Sequence, residues 1–306
     1  MTRDNKILIA GGTGFIGYHL AKKCLKKGWR VTSISSKYPK KIRYLKNVKY
    51  IICDIGKKKN LKKKIIGRYK YVINLGGYVD HSNKKKIFES HYLGCKNLAE
   101  IFLGNPPEKF VQIGSSVEYG HLKSPQRENF NSKLNLIKSN YGKAKLLSTK
   151  FLIDLYKKVN FPISILRLYI AYGPRQDINR FIPIVIKSCL MNKKFDCSEG
   201  NQYRDFIYVE DVVNAILKTL NSKNSNGEII NIGTGKPRKL KNIIENIKKI
   251  SRGGKPQFGK VKLRKDEILK LYPNISKAKK KIKWKPKISF IKGLKTTINF
   301  YNESEF

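Results

Sequence analysis

A chain of 306 residues with 40% hydrophobic content suits one large or two intimate domains. It can bury roughly three quarters of its unfolded surface, as a packed globular protein does. Its apolar runs fall short of the ~20 residues that span a bilayer, and the N-terminal one is short and broken by glycine, so neither a membrane span nor a signal peptide is expected. The chain carries 66 Lys+Arg against 21 Asp+Glu, a net charge of +45. A nucleic-acid binder gathers such charge on one face or tail. Here short lysine runs (57–59, 62–64, 84–86, 279–281) are spread over many elements beside abundant Ile and Asn, which reads as lysine-biased coding. Nucleic acid is not the expected partner, although a polyphosphate nucleotide is attracted by any such field. The five cysteines (Cys24, Cys53, Cys95, Cys189, Cys197) are scattered without metal-ligand spacing, so reduced thiols in a cytoplasmic protein are expected, with no metal.

Lys6–Ala10 is a short apolar run without helical spacing, the pattern of a buried parallel strand. Gly12, Gly14 and Gly17 then satisfy Gly-x-Gly-x-x-Gly, with Gly11 in front, and a helix pattern runs from about Phe15 to Lys27. Between a strand and a helix, such glycines let the chain turn sharply, admit a pyrophosphate to the backbone and pack helix on strand. Free N–H groups at the helix start favour the phosphate charge. Gly11, Gly14, Phe15, Ile16 and Gly17 are therefore the expected dinucleotide loop.

A second strand is predicted at Arg30–Ser35. An acidic residue about 20 positions beyond the fingerprint normally accepts the ribose 2′-hydroxyl, yet no Asp or Glu lies between Asp4 and Asp54. Ser35 and Ser36 stand there instead, followed by Lys37, Lys40, Lys41 and Arg43. Removing the carboxylate and supplying cations suits an adenosine 2′-phosphate, so NADP is favoured over NAD. Further strands are predicted at Val48–Cys53, Tyr71–Leu75, Phe110–Gly114 and Ile163–Leu168, with helices near Lys84–Leu103 and Tyr141–Val159. This alternation is that of a Rossmann-type, doubly wound parallel α/β sheet, with ligands at the carboxyl ends of its strands. Asp54 and Ile55 are expected at the adenine, and Leu75, Gly76 and Gly77 along the cofactor.

The fifth strand leads into Gly114-Ser115-Ser116-Val117-Glu118-Tyr119-Gly120, and a helix begins near Tyr141-Gly142-Lys143-Ala144-Lys145. Tyr141 and Lys145 are spaced i, i+4 and share one helix face. An ammonium beside a phenol favours the phenolate and lowers its pKa from about 10, which suits proton exchange with a sugar hydroxyl. Ser115 is placed to hold the same oxygen for hydride transfer. His81 and His91 read as packed or solvent-facing, and Trp284 with Tyr272 as packing of a smaller lobe.

These motifs together resemble the extended short-chain dehydrogenases/reductases, the group of NAD(P)-dependent nucleotide-sugar epimerases, dehydratases and reductases, over nearly the whole chain. The resemblance rests on the stretches 11–17, 114–120, 141–145, 166–174, 203–212, 231–235 and 272–286. It implies catalytic Ser115, Tyr141 and Lys145, the last two also touching the cofactor. It implies a nucleotide-diphosphate-sugar substrate held by Arg204, with Ser116 and Arg175 nearby. It also implies a homodimer joined through the helices near 84–103 and 141–159. The division expected is a dinucleotide-binding part over 1–168, also receiving about 205–235, and a smaller substrate lobe mainly from 169–306.

The departures narrow the activity. In the family's 4,6-dehydratases the catalytic Thr is followed by Asp and Glu, where this chain has Ser116 and Val117; Glu118 comes one place late and would face elsewhere on an extended segment. Dehydration is therefore not expected. The absent carboxylate at Ser35 favours an NADPH-consuming 4-reductase of an NDP-4-keto-6-deoxyhexose, and the stretch 76–81 is similar to deoxysugar reductases. A UDP-hexose-type 4-epimerase using the same residues is the alternative, and a non-catalytic Rossmann protein that binds nucleic acid a more distant one.

Overall fold

The computed structural model describes residues 5–78, 83–130, 132–263 and 267–303; Asp80 and His81 lie outside them. Seven strands form one sheet: β1 (Lys6–Ala10), β2 (Arg30–Ser35), β3 (Val48–Ile52), β4 (Tyr71–Asn74), β5 (Lys109–Ser115), β6 (Ile163–Leu168) and, after the short strands given below, β11 (Glu228–Ile232). Their order is β11-β6-β5-β4-β1-β2-β3 and every pairing is parallel. The expected doubly wound sheet is present, and the predicted strands match to within a residue at either end.

Period-two alternation assigns each strand's side chains to one of two faces. Ile7 and Ile9 of β1 join one core with α1 (Phe15–Leu25) and α7 (Val209–Leu220). Leu8 and Ala10 join the other, with α2 (Lys58–Lys64), α4 (Gly94–Ile101) and α5 (Asn140–Val159). The helix expected near 84–103 is broken into α3 (Lys84–Phe88), a π-helical turn at Glu89–Leu93, and α4. Just past the break the helix packs tightly on the loop after β3: a Cβ at Gly94 would stand 2.7 Å from Ile55 Cγ1.

A third core lies beyond the sheet, among α6 (Phe181–Leu190), α8 (Leu240–Ser251) and α10 (Phe290–Glu303), with Tyr172, Phe206, Tyr208 and Phe290 at its centre. Short strands border it: β7 (Ile170–Tyr172) pairs with β10 (Phe206–Tyr208), β8 (Lys194–Asp196) with β13 (Lys255–Gln257), and β9 (Tyr203–Arg204) with β12 (Arg238–Lys239) and β14 (Lys270–Leu271). Trp284 packs elsewhere than expected. After α9 (Ser276–Ile282) it enters the main-sheet core beside α7 and donates its indole N–H to the Asp211 carbonyl at 3.1 Å. All five cysteines are free and buried. Among the described residues no helix is long and apolar enough to cross a membrane.

Candidate active site

The chain winds outward from β1 through β2 and β3, then returns to β4 on the other side of β1. At the carboxyl ends of these strands, where such a reversal opens a crevice, lies a cleft of about 880 Å³. Gly11, Gly14, Phe15, Ile16, Gly17, Ser35, Ser36, Asp54, Ile55, Leu75, Gly76, Gly77, Ser115, Tyr141 and Lys145 all line it.

The loop after β1 has two kinds of glycine. Gly11 has φ +78°, and a Cβ there would stand 2.8 Å from the Leu75 backbone. A Cβ at Gly12 would overlap the Ser33 side chain, and one at Gly17 the Gly11 carbonyl oxygen. These three are required by the protein's own packing. Gly14, the N-cap of α1, differs: its Cβ would meet only the Gly11 oxygen at 3.2 Å. Among the described residues no group fills that space, which opens on the cleft beside the N–H groups that begin α1. A pyrophosphate fits that cradle of backbone donors and bare Cα. Gly76 and Gly77 serve packing instead, since Cβ atoms there would strike Ile55 and the His91 ring.

At the far end of the cleft the expected cations divide. Lys37 does not line it. Lys40 is paired with Asp177 at 2.8 Å; Arg43 is paired with the same carboxylate at 3.0 Å and donates twice to the Arg175 carbonyl. These two cations therefore tie the β2–β3 loop to the segment after β7, so the sequence's expected free cations are engaged with Asp177 in this structure. Lys57, not foreseen, lines the cleft near Asp54. Asp54 accepts the Gly56 N–H at 2.8 Å.

The side chains predicted to react, Ser115, Tyr141 and Lys145, meet where β5 ends against α5. Ser139 caps α5 by accepting the Gly142 N–H, which starts the helix just ahead of Tyr141. Tyr141 and Ser115 are hydrogen-bonded through their side chains. Lys145 Nζ donates to the Ile113 carbonyl at 2.7 Å and lies 5.9 Å from the Tyr141 ring centroid. The phenol is not driven toward phenolate here: burial pushes it up to about 12, against the lowering effects of the Ser115 hydrogen bond and the Arg180 charge. Lys145 is itself lowered by burial. A lysine one turn away does not outweigh desolvation, contrary to the expectation from spacing.

Other residues were not legible as site members. His91, on the π turn, is buried with its ring edge-on to Tyr141 at 4.9 Å and its Nε2 3.0 Å from the Tyr78 carbonyl. Tyr169 and Ile170, just past β6, and Gln176, Asp177 and Arg180 before α6 also line the cleft. Helical spacing gives no sign of a π turn, and the 176–180 stretch carries no motif.

Three predicted ligand residues stand elsewhere. Ser116 is buried and does not line the cleft. The Arg175 guanidinium lies over the rings of Tyr18 and Phe300 and donates to the Ile42 carbonyl. Arg204 pairs with Glu267 and donates to the Tyr203 carbonyl at 2.9 Å. Glu118 does not lie on an extended segment: Ser116–Tyr119 is a 3₁₀ turn, and its carboxylate is fully buried against Arg167.

The NAD dependent epimerase/dehydratase family matches residues 7–233. The UDP-N-acetyl-alpha-D-glucosaminuronate decarboxylase of Bacillus cytotoxicus is 28% identical, covering 98% of each chain. The CDP-abequose synthase of Salmonella muenchen is 28% identical over 97% of this chain and 98% of its own. The solved UDP-glucuronic acid 4-epimerase of Bacillus cereus, in complex with UDP-glucuronic acid and NAD, has a TM-score of 0.86 at 26% identity, covering 97% of this chain and 99% of that one.

Proposed function

The chain belongs to the NAD dependent epimerase/dehydratase family and is an enzyme of it, and from that premise we propose a nucleotide-sugar oxidoreductase acting at carbon 4 of the hexose, specifically an NADPH-dependent reductase of NDP-4-keto-6-deoxyhexoses. The observation that carries the reading is the Ser115–Tyr141 hydroxyl pair, set at the cleft beside Lys145. Ser115 holds the sugar oxygen. Tyr141, protonated at neutral pH, donates its proton to that oxygen as the carbonyl becomes an alcohol. Gly11–Gly17, Ser35, Ser36, Asp54, Leu75–Gly77 and Lys145 are the residues that would hold the dinucleotide, whose nicotinamide supplies the hydride when bound. Ser35 in place of a carboxylate, with Lys57 on the cleft wall, supports NADP. Elimination of water is disfavoured because Val117 has no proton to move and Glu118 is committed to Arg167.

Arg204 is proposed to hold the diphosphate, exchanging Glu267 for phosphate oxygens, because its planar fork suits them. We take the lobe of α6, α8 and α10 as the substrate-binding half, a homodimer through α3, α4 and α5 as the assembly, and the cytoplasm as the location. A second reading, a 4-epimerase, is favoured by one observation. Lys40 and Arg43 bridge to Asp177 beside the cleft, an arrangement that suits a cofactor recycled without leaving.

The test begins with cofactor state. Denatured fresh protein is assayed for released nicotinamide nucleotide, then intact protein for NADPH consumption against a panel of nucleotide-linked 4-keto-6-deoxyhexoses. Substrate-dependent NADPH consumption by cofactor-free protein supports the reductase. Stoichiometric bound NAD, with sugar interconversion and no net redox change, replaces it with the epimerase.

A further inference from the structure

Glu118 is fully buried, yet its carboxylate meets three separate elements. One oxygen accepts the Ser115 N–H at 2.7 Å. The other accepts the Thr149 hydroxyl at 2.7 Å and the Arg167 Nε–H at 3.0 Å. Ser115 ends β5, Arg167 lies on β6, and Thr149 lies on α5. Tyr141, Lys145 and Thr149 are spaced i, i+4, i+8, so the carboxylate grips the same helix face that carries the reactive pair. Gly114 leaves it room: a Cβ there would stand 2.5 Å from the Glu118 oxygen. The Arg167 guanidinium is held in turn over the Tyr119 ring at 4.3 Å, and Tyr119 donates to Asn231 at 2.8 Å.

We infer that Glu118 is the positioning residue of this site, fixing the strand end that bears Ser115 against the helix face that bears Tyr141 and Lys145. The inference rests on the proposed roles of Ser115 and Tyr141. A carboxylate one place beyond the dehydratase position is thereby withdrawn from substrate and acts through its neighbours. Mere stabilisation by a buried ion pair predicts something different: loss of stability when one partner is removed, with unchanged turnover by the molecules that remain folded. Positioning predicts a fall in kcat at constant KM, since misplacement of about 1 Å costs on the order of 10²-fold.

The charges involved are few. Tyr141 is faced by the Ser115 hydroxyl, by Glu118, which opposes its ionisation, and by Arg180, which favours it; the His91 ring lies edge-on and Lys145 one turn on. Glu118 is faced by Arg167 of β6, Thr149 and Lys145 of α5 and Cys95 of α4.

The experiment compares Glu118→Gln, Thr149→Val and Tyr141→Phe with the parent, in whichever reaction, reduction or epimerisation, the parent performs. Glu118→Gln is expected to lower kcat by about 30-fold or more, with KM and dinucleotide affinity within about twofold, and to move the alkaline limb of kcat to lower pH. Thr149→Val, which strands no charge, is expected to lower kcat several-fold in the same sense, and it decides the matter if Glu118→Gln does not fold. Folded Glu118→Gln with parental kcat and pH profile, beside an inactive Tyr141→Phe, overturns the inference; so does parental kcat in Thr149→Val when Glu118→Gln is unfolded. Parental turnover in Tyr141→Phe overturns the reading of the site itself, and the inference falls with it.

Discussion

Two strand-to-helix turns meet at this cleft and are built in opposite ways. The turn after β1 works by leaving side chains out, so that Gly11 and Gly17 let backbone pack on backbone and Gly12 admits the Ser33 side chain, while Gly14 faces open space. The turn after β5 works by burying side chains, with Glu118, Arg167 and Thr149 filling the ground beneath Ser115. A turn made by omission depends on how closely Ser33 and the Leu75 backbone approach it, and it leaves room for a Cβ only at Gly14. A turn made by a buried network depends on partners 31 and 49 positions away in the chain, and so on the whole fold.

The contrast can be broken in order of effect. Tyr141→Phe should lower kcat by about 10²–10⁴-fold with dinucleotide affinity retained, as steady-state kinetics and a fluorescence titration would show. Gly17→Ala should lose about 1–3 kcal/mol of stability, because its Cβ overlaps the Gly11 carbonyl, and dinucleotide binding should go with it. Gly14→Ala sharpens the point: denaturant unfolding should find it close to the parent while affinity for the dinucleotide drops about tenfold. An equal stability loss in both variants would abolish the distinction between packing and ligand glycines.

His19 tests the cationic flank of the first turn. Burial, together with the charges of Lys22, Arg175 and Arg43, lowers it to about 4 despite its hydrogen bond to the Pro174 carbonyl. Between pH 4 and its ordinary value of 6.5 the native state binds fewer protons than the unfolded state, so stability rises with pH across that window. Unfolding curves at pH 4.5 and 7 should differ by about 2–3 kcal/mol more in the parent than in His19→Gln. The smallest effect expected is that of Lys40→Ala. Its pair with Asp177 is largely exposed on the lysine side, so stability should change by under about 1 kcal/mol.

Apolar alternation, the i, i+4 pair and the close approach of Gly17 to Gly11 act within a few residues, and these were readable. The spacing of Tyr141 and Lys145 held, but its electrostatic consequence did not, because desolvation of the phenol is set by what covers it. Lys40, Arg43 and Arg175 read as cations awaiting phosphate, while the fold supplies Asp177, backbone carbonyls and aromatic rings as their partners. In a chain so rich in lysine and arginine, composition cannot say which cation is engaged.

By itself, then, the sequence determined the doubly wound sheet and the shared helix face of Tyr141 and Lys145, because side-chain periodicity specifies them, and it marked the glycine loop and Ser115 as candidates. Only the tertiary structure decided that Glu118 lies beneath the site, that His91 lies against Tyr141 and that the cations after Ser36 are partly engaged. Burial and ion pairing are properties of groups brought together from distant parts of the chain.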